Sequence, residues 1–324
     1  MLSNKEIVVP NNLLNAALKN KGVKAGIVNA GKPLPMLSVQ DAVKENLIDP
    51  IFIGDEKEII KCAEDIKWDI SKYEIINEPV ENNTAGIAAK LASEGKIKII
   101  VKGHIHTDIL MKEVLKREYN LLGKTRLSHI WHMTLEKDDK PLIITDGALN
   151  VLPNVKTKMH ILKNVINFSH RIGIERPKIA VLSATEEVLD SVPSSKEAEE
   201  ITNLAKKENL KADVFGPLAF DNSVSKKSAD IKGIKNDVAG MADVLLVPSV
   251  ETGNGLVKML IYFSGACAAG VVVGGKVPVV ITSRSDEAQA RLASIAAAVV
   301  ALDWFWTIIL NCLKFFIEKK ELIH

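Results

Sequence analysis

Residues 243–302 read DVLLVPSVETGNGLVKMLIYFSGACAAGVVVGGKVPVVITSRSDEAQARLASIAAAVVAL and form the most informative segment of the chain. Its pattern predicts two strand–loop–helix units: strand Asp243–Val247, loop Pro248–Gly255 and helix Leu256–Ala269, then strand Val277–Thr282, loop 283–286 and a further helix. In open α/β sheets ligands bind where strands end and helices begin, because free N–H groups and the helix dipole favour anions there. The two polar loops, with an arginine, a lysine and carboxylates on or beside them, indicate a site that handles phosphate and a proton.

The rest of the chain alternates short apolar strands with amphipathic helices, which is typical of a doubly wound α/β fold. Apolar strands at 127–135 and 141–146 interrupt the alternation, and the charged turn between them predicts an antiparallel hairpin. At 324 residues the chain is long enough for two domains. We predict two doubly wound α/β domains. The first comprises residues 1–149 and 286–324, so that the C-terminal helix returns to it, and the second comprises residues 150–285.

The composition is that of an ordinary globular protein, with 47% hydrophobic residues, 25% charged residues and a formal net charge of +2. So small a net charge gives no reason to expect nucleic acid or an anionic membrane as a partner. The cysteines Cys62, Cys267 and Cys312 are widely spaced and odd in number, so neither a disulfide framework nor a zinc ribbon is expected. The amino terminus, MLSNKEIVVP, lacks the apolar core of a signal peptide. We therefore expect a cytoplasmic protein.

The carboxyl end of the chain is unusually aromatic. Residues 303–324 read DWFWTIILNCLKFFIEKKELIH and hold two of the four tryptophans and three of the eight phenylalanines. With the apolar residues before it, this tail is long enough to raise the question of a transmembrane helix. Polar residues such as Asp303 and Lys314 interrupt it, and a charge at bilayer depth costs about 2.5–3.5 kcal/mol. We expect instead a helix that packs against the first domain or a partner subunit.

The loop Ser283-Arg284-Ser285-Asp286 carries the strongest candidates for catalysis. The planar guanidinium of Arg284 suits a phosphate or a developing oxyanion, Asp286 can accept a proton, and Ser283 can orient a ligand oxygen or thiol. Helix capping is the alternative, with Ser285 as N-cap and Asp286 and Glu287 in the first turn. Capping does not explain Arg284, whose positive charge opposes the dipole at a helix start.

The segment Glu251-Thr252-Gly253-Asn254-Gly255, followed by Lys258, is the second candidate for ligand contact. Its two glycines allow the backbone to approach a ligand closely. The pattern is neither a Walker P-loop nor a G-x-G-x-x-G motif. A tight turn with an asparagine cap is therefore the alternative.

Three further charged side chains lie at strand ends or turns. Lys102, in VKGHIHTD, precedes a helix start and is a candidate anion contact, while Arg126, in GKTR, either meets a phosphate or is solvated. Asp221, in GPLAFD, either shapes a substrate wall or lies in an ordinary loop. His104 and His106 would point to opposite sides of an extended chain, so we expect no metal site there.

Six segments carry a resemblance to a known family. VPSVETGNGLVKML, VPVVITSRSDEAQARL and GPLAFDNSVSKKSADIKG resemble the signature segments of the phosphate acetyl/butyryl transferases, in their usual order. VKGHIHTD, RLSHIWHM and ITDGALNVLPNVKTKM are similar to the acyltransferase module that some bacteria fuse to an enoyl-CoA hydratase, although no hydratase module is present. The resemblance covers about Val23 to Leu302. The tail from Asp303 departs from the family, which usually ends in a shorter helix rich in alanine and valine.

The resemblance implies a reversible acyl transfer in which acyl-CoA and phosphate give acyl phosphate and free CoA. Coenzyme A is then a substrate, and no cofactor is expected. The resemblance also implies a two-domain fold like that of isocitrate and isopropylmalate dehydrogenases, with the site in the interdomain cleft, and a homodimer. A thiol of ordinary pKa about 8.5 needs a base to form the thiolate, and the oxyanion needs cations or N–H donors.

The resemblance also assigns roles. It implies Asp286 as the base, Arg284 as the stabiliser of the oxyanion or phosphate, and Ser283 as an orienting group. The substrate-binding set is Arg126 and Lys102 on phosphate, Thr252, Gly253 and Asn254 near the acyl phosphate, and Lys258 and Asp221. The acetyl-specific branch carries its catalytic aspartate further along, near position 290, which is alanine in this chain. Glu287 therefore competes with Asp286 for the role of base.

Two other classes of protein remain open on the sequence. A metal- and nicotinamide-dependent dehydrogenase on the same fold would use His104 and His106, but the clustered aspartates of a divalent-ion site are missing. A non-catalytic CoA- or phosphate-binding regulator would not need Ser283, Arg284 and Asp286. Acetyl, propionyl, butyryl and branched acyl groups differ by methylenes worth about 1–3 kcal/mol each in a pocket. The overall sequence, in which the Ser-Arg loop differs from that of the acetyl-specific branch, favours butyryl or a broader short-chain preference.

Overall fold

The computed structural model describes residues 3–135, 140–282 and 286–302. The candidates Ser283 and Arg284, the capping candidate Ser285 and the aromatic tail 303–324 lie outside the described residues, as does most of the hairpin turn. Within the described ranges the chain forms eleven α-helices, eleven β-strands and a 3-10 helix at Arg117–Tyr119.

The helices are α1 (Asn11–Ala17), α2 (Pro33–Lys44), α3 (Glu56–Asp65), α4 (Glu81–Ser93), α5 (Thr107–Val114), α6 (Val155–Arg171), α7 (Pro193–Lys207), α8 (Phe220–Val224), α9 (Lys226–Ile231), α10 (Val250–Ser264) and α11 (Ala288–Ala301). The strands are β1 (Val23–Val28), β2 (Ile48–Gly54), β3 (Glu74–Asn77), β4 (Ile99–Lys102), β5 (Ser128–Thr134), β6 (Leu142–Thr145), β7 (Lys178–Leu182), β8 (Asp213–Leu218), β9 (Val244–Leu246), β10 (Cys267–Val273) and β11 (Val279–Val280).

All the strands of the described residues join one mixed sheet in the order β3-β2-β1-β4-β11-β10-β5-β6-β9-β7-β8, which confirms the predicted α/β class. The block from β3 to β11 is parallel, and so is the block from β6 to β8. β10 pairs antiparallel with β11 and with β5, and β5 pairs antiparallel with β6, so the predicted hairpin is confirmed. These three antiparallel steps make the two parallel blocks run in opposite directions. Their carboxyl ends therefore open at opposite edges of the sheet.

Helices cover both faces of the sheet. Successive strand residues alternate between the faces, and the buried strands present apolar side chains on both of them. On one face, Ile27, Val101 and Ile130 belong to a core that also holds buried residues of α1, α2, α3, α6, α7 and α11. On the other face, α4 and α5 pack over the block that contains β4, while α9 and α10 pack over β5, β6 and β9. The helix α11 packs against β10 and also against α1 and α2, near the start of the chain.

The structure differs from the sequence prediction at the helix after β9. We predicted a loop at Pro248–Gly255 and a helix at Leu256–Ala269, but α10 already begins at Val250 and ends at Ser264. The predicted loop is therefore wrong. Its glycines, threonine and asparagine are poor helix formers, which hid the first turns. The side chain of Ser249 caps the helix at the Thr252 N–H.

The strand β10 was also missed: the predicted helix runs over its first three residues, and the prediction assigns no element to the other four. Gly265 ends α10 with a left-handed φ of 65°, and β10 starts two residues later. β10 is buried almost throughout, so its apolar residues show no strand-like alternation. A short apolar run of this kind cannot be told from a buried helix by periodicity.

Gly270, in the middle of β10, provides the space for two buried rings of β5. A Cβ at this position would lie 2.7 Å from Cζ3 of Trp131 and 2.9 Å from Cε1 of His129. The two rings contact each other with their centroids 4.5 Å apart. The pairing of β5 with β10 therefore depends on the missing side chain of Gly270.

We expect Gly270→Ala to lower the free energy of unfolding by about 1–3 kcal/mol, because buried rings must shift to admit the new methyl group. Urea denaturation measures this change. Gly255→Ala is the matched control, since a Cβ there meets nothing within 4 Å. It should stabilise α10 by about 0.5–1 kcal/mol. A loss of stability of the same size in both variants would contradict the packing argument.

Two buried histidines of β5 make stability depend on pH. Burial lowers the pKa of His129 and of His132 from 6.5 to about 4, with Asp146 partly opposing the shift at His129. The unfolded chain takes up these protons near pH 6.5, whereas the folded chain takes them up only near pH 4. Their contribution to stability is thus present above pH 6.5 and is lost as the pH falls towards 4.

We expect the free energy of unfolding to fall between pH 6.5 and 5, where carboxylates of ordinary pKa are still ionised. The measurement is urea denaturation at half-unit steps of pH. The variant His129→Gln/His132→Gln should lose most of this slope even if it is less stable overall. An unchanged slope in that variant would show that other groups are responsible.

Candidate active site

Lys102 is the last residue of β4, and Thr282 lies two residues beyond the end of β11, the parallel strand beside it. Val101 of β4 pairs with Val280 of β11. The side chain of Lys102 is buried, and its Nζ donates to the carbonyl oxygen of Thr282 at 3.5 Å. A buried ammonium is costly unless it is paired. This arrangement therefore fixes a positive charge beside the residue that precedes the Ser283-Arg284 pair.

Arg291 connects the two residues that flank the Ser283–Ser285 segment. This buried side chain of α11 donates from Nη1 to Oγ1 of Thr282 at 2.8 Å and from Nε to the carbonyl oxygen of Asp286 at 3.1 Å. Burial lowers the pKa of Arg291, and the carboxylate of Asp286 acts in the opposite direction. We did not predict this residue. Its signal in the sequence is a single charge within the apolar run of α11.

A pocket of about 250 Å³ lies between the end of α10 and the start of α11, and we call it the α10–α11 pocket. The polar residues that line it are Ser3, Lys5, Lys258, Tyr262, Asp286 and Glu287. The structure thus brings both candidate bases, Asp286 and Glu287, together with Lys258. The ammonium of Lys258 also lies 6.0 Å from the centre of the Tyr262 ring.

The amino-terminal segment forms one wall of this pocket. The N–H of Ser3 donates to the carbonyl oxygen of Tyr262 at 2.7 Å, and Nζ of Lys5 donates to that of Leu135 at 2.6 Å. A Cβ at Gly265 would lie 2.7 Å from Oγ of Ser3. The absence of a side chain at Gly265 therefore serves both the left-handed end of α10 and the close approach of this segment.

Thr252, Gly253 and Asn254 lie in the first turns of α10, at the opposite end of the helix from Gly265. Gly253 is buried against Gly147, since a Cβ on Gly253 would lie 2.7 Å from the Cα of Gly147. The amide of Asn254 donates to the carbonyl oxygen of Gly147 at 3.5 Å. Asn254 and Lys258 are four residues apart and share one side of the helix. The helix thus connects this end to the α10–α11 pocket.

Arg126 belongs to the end of the site near Gly147. Its Nε donates to Oδ1 of Asn150 at 3.1 Å. Asn150 in turn donates to Oδ2 of Asp146 at 2.7 Å, and the N–H groups of Ala148 and Leu149 donate to Oδ1 of Asp146. The buried Asp146 therefore shapes the loop after β6 and orients Asn150 towards Arg126. We did not predict a role for Asp146 or Asn150 from the sequence.

Asp221 does not line the α10–α11 pocket. It lies on the short helix α8, where its carboxylate is 3.6 Å from Nζ of Lys232. Lys232 also pairs with Glu186 at 3.0 Å, which lowers the pKa of Glu186. These contacts give Asp221 a local role at the surface of the second parallel block.

Residues 3–135, 140–282 and 286–302 contain no group of three or more His, Cys, Asp or Glu side chains placed to hold a metal ion. His104 and His106 are both exposed; the N–H of His106 donates to Oε1 of Glu81 at 3.3 Å. In the same ranges, no helix combines the length and the hydropathy needed to cross a membrane. Burial raises the pKa of Cys267 to about 12, so this thiol stays protonated, as expected of a core cysteine.

The fold is that of a mixed α/β protein with charged side chains around one pocket, and comparison with known proteins specifies its class. A family model described as phosphate acetyl/butaryl transferase matches residues 73–299. The phosphate butyryltransferase of Clostridium acetobutylicum is 37% identical over 287 residues, which cover 88% of this chain and 95% of that protein. The phosphate acetyltransferase of Rhizobium meliloti is 39% identical over 259 residues, or 80% of this chain and 82% of that protein.

Among solved structures, a branched-chain phosphotransacylase from Enterococcus faecalis V583 matches with a TM-score of 0.77 at 33% identity, covering 86% of this chain and 98% of that one. The chain therefore belongs to the phosphate acetyl/butyryl transferase family. The resemblance drawn from the sequence is confirmed. So is the prediction of an acyltransferase that moves a short acyl group reversibly between CoA and inorganic phosphate.

We expect Arg291→Lys to lower kcat at least tenfold with little change in KM, because a single ammonium cannot bridge Thr282 and Asp286 as the guanidinium does. Steady-state kinetics with saturating phosphate measures the effect. Arg171→Lys is the matched control, because Arg171 is half-buried at the end of α6 and does not line the α10–α11 pocket; it should leave kcat unchanged. If Arg291→Lys only lowered the melting temperature, the residue would have a structural role alone.

Proposed function

We propose that the chain catalyses acyl-CoA + phosphate = acyl phosphate + CoA at the α10–α11 pocket. This assignment of the site rests on one observation: Asp286, Glu287 and Lys258 line the same pocket. Asp286 and Glu287 also follow closely after the Ser283-Arg284 pair in the chain. A carboxylate and an ammonium are the groups that thiol deprotonation and anion stabilisation require.

In the direction of acyl-CoA formation, the carboxylate of Asp286 takes the proton of the CoA thiol. The thiolate attacks the carbonyl carbon of the acyl phosphate, the new C–S bond forms, and the C–O bond to phosphate breaks. Phosphate leaves with the bonding electron pair. In reverse, phosphate attacks the thioester and the protonated carboxylic acid returns its proton to the leaving thiolate. No covalent enzyme intermediate is required, because acyl phosphate is itself a reactive donor.

Positive charge stabilises the developing oxyanion and the departing phosphate in this scheme. Arg284, which lies outside the described residues, supplies the guanidinium, and Ser283 orients the thiol. Lys102 supports the proposal through its buried position beside Thr282. The resemblance implies that Arg126 contacts phosphate and that Thr252, Gly253 and Asn254 lie near the acyl phosphate. Because these residues lie at the far end of α10 from Asp286, we propose instead that they contact the more distant phosphates of the substrates. Asp221 would contact only the outer part of the substrate.

The acyl group is proposed to be butyryl or a similar short chain. The relatives of this chain include a phosphate butyryltransferase, a phosphate acetyltransferase and a branched-chain phosphotransacylase. Turnover is proposed to need neither a metal nor a cofactor. Division into two domains at residues 149/150 and 285/286, an isocitrate dehydrogenase-like cleft, a homodimer and a cytoplasmic location stay predictions.

The experiment that tests the activity is release of free thiol from acetyl-CoA and from butyryl-CoA, with and without phosphate and with and without EDTA. Burial raises the pKa values of Cys62 and Cys267, so these two thiols should add little background with a thiol reagent. Release that requires phosphate and ignores EDTA supports the proposal. Binding of CoA without release would indicate a regulator, and activity that requires nicotinamide and a metal would indicate a dehydrogenase.

We expect Asp286→Asn to reduce kcat by about 100-fold or more, because an amide cannot accept the thiol proton. The backbone carbonyl that Arg291 contacts is retained in this variant. Glu287→Gln is the matched control on the neighbouring carboxylate. It should change kcat by less than about threefold, because Asp286 rather than Glu287 accepts the thiol proton in the proposed scheme. The opposite ranking of the two variants would make Glu287 the base.

A further inference from the structure

The α10–α11 pocket has an apolar side that the proposed chemistry does not use. It is formed by Ile7, Ile261, Ala266, Ala268 and Ala290. Three separate elements supply the alanines and Ile261: α10, the start of β10, and α11. Ala266, Ala268 and Ala290 are buried, whereas Ile7 and Ile261 are half-buried. The result is a small apolar recess next to two carboxylates and a lysine.

The size of the pocket fits a short chain rather than a whole nucleotide cofactor. Sites for drug-sized ligands measure about 300–1,000 Å³, whereas an apolar cavity of about 150 Å³ already holds benzene. The pocket, at about 250 Å³, lies between these values. It therefore has room for an acyl group of a few carbons, but most of a CoA molecule would have to lie outside it.

The order of groups around the pocket matches the order of groups in a thioester or acyl phosphate. Ala290 lies one helical turn after Glu287, so the apolar floor begins beside the candidate bases. Lys258 lies three residues before Ile261 on α10, so the charged and apolar walls are neighbours on that helix as well. A carbonyl placed between Asp286 and Lys258 would direct its alkyl chain towards the alanines.

We propose that the apolar side of the α10–α11 pocket binds the acyl chain of the substrate, and that Ile261 and Ala290 limit its length. This inference rests on the proposed function and names the specificity determinants of that same site. The small side chain at Ala290 leaves space for the chain beyond its first carbons. Ile261 closes the recess from the side of α10.

The test compares kcat/KM for acetyl-CoA, butyryl-CoA and hexanoyl-CoA in two variants of opposite design. Ala290→Leu fills the recess and should lower the butyryl-to-acetyl ratio at least tenfold, since methylenes that lose their pocket cost this much. Ile261→Ala enlarges the recess and should raise the hexanoyl-to-butyryl ratio by about tenfold. Each ratio is independent of the folded fraction, so partial instability of Ala290→Leu does not obscure the result.

Ile87→Ala is the matched control, because Ile87 is also half-buried but lies on α4, away from the pocket. It should leave both ratios unchanged. Equal losses of kcat/KM for all three substrates in the pocket variants would overturn the inference, because the recess would then bind a part of CoA that the three substrates share. Unchanged ratios would overturn it as well. Wild-type protein that releases no thiol at all would instead refute the proposed function, which keeps the two failures distinct.

Discussion

The antiparallel pairing of β5 with β10 joins the two parallel blocks of the sheet and helps to set their opposite directions. It runs over seven residue pairs, from Cys267 opposite Thr134 to Val273 opposite Ser128. Each parallel block is attached to the other through these two strands. Gly270 permits this pairing by leaving room for the rings of His129 and Trp131. A parallel sheet that continued through this point would have placed all its carboxyl ends at one edge.

The reversal between the blocks sets where the two ends of α10 lie. β11 ends at one edge of the sheet and α10 starts at the other, so Thr282 and the start of α10 are not direct neighbours. The fifteen residues of α10 span about 22 Å between the edges, and Lys258 lies part of the way along. The site proposed above is therefore elongated, which suits a substrate with a reactive group at one end and phosphates at the other.

Much of this architecture could be predicted from local patterns. The alternation of strands and helices, the hairpin that became β5 and β6, and the family segments were all visible, because each depends on residues close together in the chain. The start of α10 was missed because Gly253 is retained for its contact with Gly147, more than a hundred residues away. Arg291 was missed because its partners, the side chain of Thr282 and the backbone carbonyl of Asp286, come within reach only in the folded chain. Asp146 was missed because its carboxylate accepts from N–H groups close by in the chain, a loop conformation that hydrophobic periodicity does not reveal.

The amino-terminal segment has a practical consequence for handling the protein. Ser3 and Lys5 pack against Gly265 and Tyr262, and Ile7 contributes to the wall of the α10–α11 pocket. These contacts make the shape of the pocket wall depend on residues 3–7, so a change in this short segment alters the wall without touching Asp286, Glu287 or Lys258. The segment is therefore best left unaltered in any variant made to study the pocket.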